Sequence, residues 1–205
     1  MLKIATATLL VAVSALACGG EGGRPAQSGT GRARTATVAG ARIAAARTGP
    51  AGEWGMPAGD YANSRYSDLT QITAANAKDL RVAWAFSTGT LRGHEGQPLV
   101  IDNTMYVVTP FPNVAYAFDL AKVGQPLKWK FRPRNSQAAI GQACCDVVNR
   151  GAAYADGRLF YNLLEGTTVA VNVRDGTQAW RTRVANLERG ETITMAPIVV
   201  KNHVL

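Results

Sequence analysis

The sequence holds two histidines and three cysteines in 205 residues. That scarcity limits the chemistry it can carry. No C-x-x-C-H run occurs, so no c-type haem is attached within this stretch. His94 stands beside Glu95, but a metal needs several ligands and one histidine does not make a site. The apolar run Ile4–Ala17 is shorter than the roughly 20 residues a membrane-spanning helix requires. Acids are also few: 14 Asp and Glu against 22 Lys and Arg, a formal net charge of +8. Residues 1–52 supply +5 of that charge, with Glu21 as their single acid. The basicity therefore belongs to the N-terminal stretch rather than to the part that folds, and it does not indicate a nucleic-acid partner.

Met1-Leu2-Lys3 gives a positive start, the apolar run follows, and Ala15-Leu16-Ala17 has the A-x-A cleavage pattern. Residues 1–17 read as a secretory signal peptide. The expected destination is the periplasm, where disulfides persist. Cys18 follows the cleavage position directly and resembles the lipid-attachment cysteine of bacterial lipoproteins, although Ala15 stands where that motif usually has a large aliphatic residue. Two outcomes are open: a lipid on Cys18 that anchors the protein to a membrane, or plain cleavage that leaves it soluble. Residues 18–52 are rich in Gly, Ala and Arg and contain no aromatic, the composition of a disordered tether.

The folded part is expected over residues 53–205. Thr73 is placed to cap a short helix through Leu80, and Val82–Thr88 reads as a strand ending at Gly89. Further strands are predicted at Gln97–Ile101, Thr104–Thr109, Asn113–Asp119 and Leu127–Phe131. The order then recurs at Ala152–Tyr154, Arg158–Asn162, Thr168–Asn172 and Gln178–Arg181. Turns fall at Asp102-Asn103, Asp156-Gly157 and Asp175-Gly176. Four-strand units with no long helix between them predict an all-β fold. Ala170-Val171-Asn172 through Asp175-Gly176 to Trp180 has a looser copy in Ala117-Phe118-Asp119 through Gly124 to Trp129, and Trp84 begins the series. The tryptophans are 45 and 51 residues apart, the period of a β-propeller. Such a tryptophan packs one blade on the next, because a blade cannot bury both faces alone. Propellers close with roughly 4–8 blades. The first two to three blades are legible here, so residues 53–205 read as the N-terminal part of a longer, truncated propeller.

The stretch from Gln142 to Gly151 sets two adjacent cysteines, Cys144 and Cys145, five residues ahead of Arg150. Adjacent Cα atoms lie about 3.8 Å apart, whereas ordinary disulfides span roughly 4.4–6.8 Å. A bridge would close a strained ring, of the kind that persists where surrounding structure enforces it. Two buried, reduced thiols packing as small hydrophobes are the other reading.

Four pieces of the sequence together resemble the pyrroloquinoline quinone (PQQ) dependent alcohol dehydrogenases, and most of all the large subunit of methanol dehydrogenases. They are Tyr66-Ser67 with Leu69–Leu80, then Arg92–Val100 with Thr109–Asn113, then Cys144–Gly151, and the tryptophan repeat. The first departs from the family by Thr73 where Asn is usual and Ala77 where Val is usual. The resemblance implies an eight-bladed propeller with PQQ on its axis. It implies that a disulfide between Cys144 and Cys145 stacks on the cofactor plane, and that Glu95, Arg150 and Thr194 contact its polar edge, with Thr192 a near alternative to Thr194. A guanidinium suits a carboxylate-rich cofactor because its fork pairs with carboxylate oxygens. Glu95 either accepts from a ring N–H or is held protonated and donates. Without the family, Arg150 reads as an ion-pair partner of Asp146 and Glu95 as a solvated loop acid. The resemblance further implies a small primary alcohol as substrate, a c-type cytochrome as electron acceptor, and a calcium or lanthanide ion whose ligands, like the catalytic base, are expected beyond Leu205. No catalytic or metal-ligating residue is assigned within this chain. Two alternatives stand beside methanol oxidation: a dehydrogenase for ethanol or sugars, and a non-catalytic, lipid-anchored scaffold built of similar repeats.

Overall fold

The computed structural model describes residues 52–143 and 146–205. The signal peptide, Cys18, all but the last residue of the tether, and the Cys144-Cys145 pair lie outside the described residues. The strands are β1 (His94–Gln97), β2 (Leu99–Ile101), β3 (Thr104–Val108), β4 (Ala115–Asp119), β5 (Leu127–Phe131), β6 (Asn149–Ala155), β7 (Arg158–Leu163), β8 (Thr167–Asn172), β9 (Gln178–Arg183), β10 (Val199–Val200) and β11 (His203–Val204). Strands β2 to β5 form an antiparallel meander, and β6 to β9 form a second one. β10 and β11 pair as a separate hairpin. These are blades of a β-propeller.

Side-chain alternation explains why the blades stack. In β3, Thr104, Tyr106 and Val108 are buried and Met105 and Val107 are half-buried on the opposite face. β4 is an inner strand with both faces covered. Ala115 and Ala117 join Leu99, Ile101, Tyr106 and Val108 against Leu159, Tyr161, Leu163, Val169 and Val171 of the second blade. Tyr116 and Phe118 face the other way, with Trp84 packed against them. Burying each large aliphatic or aromatic side chain in this seam contributes about 1.5–3 kcal/mol. Alanine at Ala115 and Ala117 leaves room for the larger residues opposite.

Trp129 joins the blades. It sits on β5, the outer strand of the first blade, yet its indole Nε1–H donates to the Val173 carbonyl of the second blade at 2.7 Å. The ring lies so close to Gly176 that a Cβ there would meet it at 2.8 Å, and Gly176 has φ +74°. A side chain at 176 is disfavoured both by the left-handed backbone and by the ring. Gly176→Ala is therefore expected to cost about 1–3 kcal/mol, read as a lower melting temperature with unchanged far-UV circular dichroism. The matching residue of the second blade, Trp180, packs on Phe160 at 5.7 Å and borders a cleft shared with Val199 and Val204 of the β10–β11 hairpin.

Three local expectations need correction. Residues 82–88 form no strand, although Trp84 packs on Phe118 at 5.3 Å and Phe86 on Tyr116 at 5.3 Å. Strand structure requires a hydrogen-bonded neighbour, and no strand among the described residues pairs with this segment. The helix expected from Thr73 to Leu80 is a single 3-10 turn, Ala77–Asp79. Thr73 does not cap it with its hydroxyl; its carbonyl accepts from Asn76 and Ala77, and its N–H donates to the Asn76 carboxamide at 2.7 Å. Gln97–Ile101 is not one strand: Pro98, with no N–H to donate, separates β1 from β2. The turn residues behave as expected, Asp102-Asn103 with φ 48° and 53° and Asp156-Gly157 with φ 47° and 70°, the double positive φ of a tight hairpin.

Candidate functional site

The break at Pro98 builds the site. β2 continues into the first blade, but β1 lies parallel to β6 of the second, with His94 opposite Asn149 and Gln97 opposite Gly151. Glu95 therefore enters the register beside Arg150. Close approach of the two strands requires glycine at 151: its φ is +110°, and a Cβ would come within 3.1 Å of the Gln97 carbonyl oxygen.

Three of the five residues assigned to the cofactor from the sequence meet here. Arg150 Nη2 lies 3.1 Å from Glu95 Oε2, and Arg150 Nη1 donates to Thr194 Oγ1 at 2.7 Å. The Arg150 backbone N–H also donates to the Thr194 carbonyl at 3.0 Å. It is Thr194, not Thr192, that meets the guanidinium. The other two, Cys144 and Cys145, lie outside the described residues. The Arg150 and Glu95 side chains are 43% and 48% exposed, so a ligand can reach both. The pairing of Arg150 with Asp146 does not occur. Asp146 instead faces Arg92 at 3.5 Å, with Asp146 45% and Arg92 64% exposed; a pair so open to water contributes under about 1 kcal/mol. His94 turns to its own loop, with Nε2 3.1 Å from both the Thr88 hydroxyl and the Thr90 carbonyl oxygen. No group of three or more potential metal-ligating side chains occurs among the described residues.

Asn149, next to Arg150 in β6, is tied into the second blade by its side chain. Asn149 Nδ2 donates to the Asn162 carbonyl at 2.8 Å, and Asn149 Oδ1 accepts from Gly151 N–H at 2.9 Å. Tyr161, in the core between the blades, is fully buried and donates to the Asn113 carbonyl at 2.9 Å, while burial pushes its hydroxyl far above the usual phenol range and keeps it neutral. Asn113 Oδ1 accepts from Leu164 N–H at 3.1 Å; its Nδ2 is buried with no partner among the described residues. Phe111 N–H donates to the Val147 carbonyl at 2.8 Å, fastening the Thr109–Asn113 segment to the chain that follows Cys145. Sequence reasoning missed Arg92, Asn149 and Asn162. Asn149 had a signal, since it stands next to Arg150 in the motif; Asn162 had none beyond a polar residue closing an apolar strand.

The donor set suits the polar edge of a flat, carboxylate-bearing quinone: a reachable guanidinium, a hydroxyl, and a carboxylate able to accept an N–H. Glu95 and Arg150, 3.1 Å apart, offset each other's charge.

Residues 54–181 match the PQQ family of the glucose/ethanol/alcohol dehydrogenase β-propeller domain. The chain is 49% identical over 154 residues to the lanthanide-dependent methanol dehydrogenase of Methylacidiphilum fumariolicum (strain SolV), covering 75% of this chain and 25% of that protein. It is 44% identical over 158 residues to methanol dehydrogenase (cytochrome c) subunit 1 of Methylobacterium organophilum, covering 74% and 25%. Among solved structures, a europium-containing methanol dehydrogenase superposes with a TM-score of 0.74 at 48% identity, over 76% of this chain and 27% of that one. The chain thus spans about a quarter of the length of the curated relatives it matches. The chain belongs to the PQQ-type alcohol dehydrogenase β-propeller family.

Proposed function

We propose that this chain is the N-terminal part of a periplasmic quinoprotein dehydrogenase that oxidises a small primary alcohol, methanol or a near homologue, to the aldehyde and passes the electrons to a c-type cytochrome. The observation that carries the reading is the convergence of Glu95, Arg150 and Thr194 where β1 crosses to β6. Its relatives named for methanol and for cytochrome c support the substrate and the acceptor. PQQ, when bound, supplies the two-electron redox capacity. The residues of this chain bind and orient it: Arg150 meets the carboxylate edge, Thr194 donates or accepts beside it, and Glu95 holds the guanidinium fork in place. The calcium or lanthanide ion and the base are assigned to the remainder of the full-length protein. Residues 1–17 direct export, and 18–52 form a tether, lipidated at Cys18 or simply cleaved before it.

The test is oxidation of methanol, ethanol and glucose by the full-length protein reconstituted with PQQ and either calcium or lanthanum, followed with a dye acceptor. Fastest turnover on methanol or ethanol, dependent on PQQ, is expected; turnover absent on every alcohol would overturn the reading. Cys144 and Cys145 are expected to be joined in the exported protein, so that the non-reduced peptide weighs two hydrogens less than the reduced one. Two thiols alkylated without prior reduction would remove that disulfide from the pocket.

A further inference from the structure

The segment carrying Thr194 has no strand of its own between the 3-10 turn Leu187–Arg189 and β10. Besides the Arg150 Nη1–Thr194 Oγ1 contact, bonds at three consecutive residues hold its main chain to the second blade. Ile193 N–H donates to the Leu164 carbonyl at 3.2 Å, the Thr194 carbonyl accepts from Arg150 N–H at 3.0 Å, and the Met195 carbonyl accepts from Asn162 Nδ2 at 3.1 Å. The first two are backbone bonds that most sequences could make. The third depends on one side chain.

Asn162 is buried on β7, directly after Phe160 and Tyr161 and before Leu163, where a carboxamide is costly unless both its ends are bonded. Both ends are. Its Oδ1 accepts from Thr168 Oγ1 at 2.8 Å, and that bond turns the Nδ2 toward Met195. A β-branched apolar residue would serve the strand as well; it could not reach across to a carbonyl outside the sheet. The same residue's backbone carbonyl accepts from Asn149, next to Arg150 in β6. Asn162 is thereby linked to both sides of the Arg150–Thr194 contact.

We propose that Asn162 is a positioning residue of the cofactor pocket: its carboxamide fixes the backbone at Met195 and so sets the Thr194 hydroxyl against Arg150. The inference rests on the reading of Glu95, Arg150 and Thr194 as a PQQ site. Asn162 touches no cofactor itself; it acts through Thr194.

Two measurements on the full-length protein test it. The first is hydrogen exchange without cofactor. Asn162→Ala is expected to speed exchange about fivefold in peptides containing Arg150 and Ile193, as loss of one tether predicts, and to leave the Val169 peptide unchanged. Asn162→Thr, which suits a strand and is too short to reach Met195, is the second variant should alanine disrupt folding. The second measurement is PQQ affinity in a double-mutant cycle with Thr194→Ala. Asn162→Ala is expected to weaken PQQ about five- to tenfold in the wild-type background and less than twofold in the Thr194→Ala background. Equal weakening in both backgrounds, or exchange raised evenly through the blade, would overturn the proposal by making Asn162 a stabiliser of the fold alone. Wild-type protein that takes up no PQQ, with the exchange pattern as expected, would instead overturn the cofactor reading and leave the tether standing.

Discussion

Arg150→Ala in the full-length protein is expected to lower PQQ affinity roughly ten- to hundredfold. A charge-assisted hydrogen bond is worth about 1.5–3 kcal/mol, and each 1.4 kcal/mol is about a factor of ten in binding. Folding should change far less. The Glu95 pair is 3.1 Å long but both side chains are nearly half exposed, and such pairs contribute under about 1 kcal/mol. The backbone bond from Arg150 to Thr194 survives the substitution, because it uses the main-chain N–H. Arg150→Lys should recover only part of the affinity: an ammonium keeps the charge but has no planar fork with which to hold Thr194 and a carboxylate together. The measurement is cofactor per protein by absorbance after reconstitution, with a thermal melt of the same samples. Equal occupancy in wild type and Arg150→Ala would remove Arg150 from the pocket and leave Glu95 without its role.

Trp129→Ala is expected to give the largest loss of stability, about 3–5 kcal/mol as for other large-to-small changes in cores. Three contributions disappear together. The ring is only 8% exposed within the seam, it packs on Tyr106 at 5.8 Å, and its N–H is bonded to Val173 across the blades at 2.7 Å. Trp129→Phe separates them. It keeps most of the apolar contact and loses the hydrogen bond, leaving the Val173 carbonyl to water, so about 1 kcal/mol is expected from the bond itself. Calorimetry of both variants reads the difference. A Trp129→Ala protein that melts within a degree of wild type would show that the tryptophan decorates the blade rather than joining it to the next.

Much of the architecture was legible because each blade repeats its punctuation. The hairpin turns were marked by Asp102-Asn103 and Asp156-Gly157, residues that tolerate positive φ. What failed depends on neighbours distant in the chain. Val82–Thr88 has the composition of a strand, yet composition cannot supply the hydrogen-bonding edge a strand needs. Gln97–Ile101 looked continuous because its apolar residues are continuous; only the structure shows β1 and β2 serving different sheets on either side of Pro98. That crossing is also why the Glu95–Arg150 pair was invisible. Both residues were named from the motif, 55 positions apart, but a parallel register between blades sets them side by side. Asn162 was hidden for a related reason: its partner, the Met195 carbonyl, is a backbone atom that no sequence pattern advertises.

One corner, Glu95 with Arg150 and Thr194, is expected to hold the cofactor. A crystal structure of the full-length protein grown with PQQ tests it most directly. A PQQ carboxylate is expected within hydrogen-bonding distance of the Arg150 guanidinium, with the Thr194 hydroxyl at the same edge and Glu95 still beside the arginine. PQQ bound elsewhere, with the Glu95–Arg150–Thr194 contacts unchanged and no ligand atom near them, would contradict it.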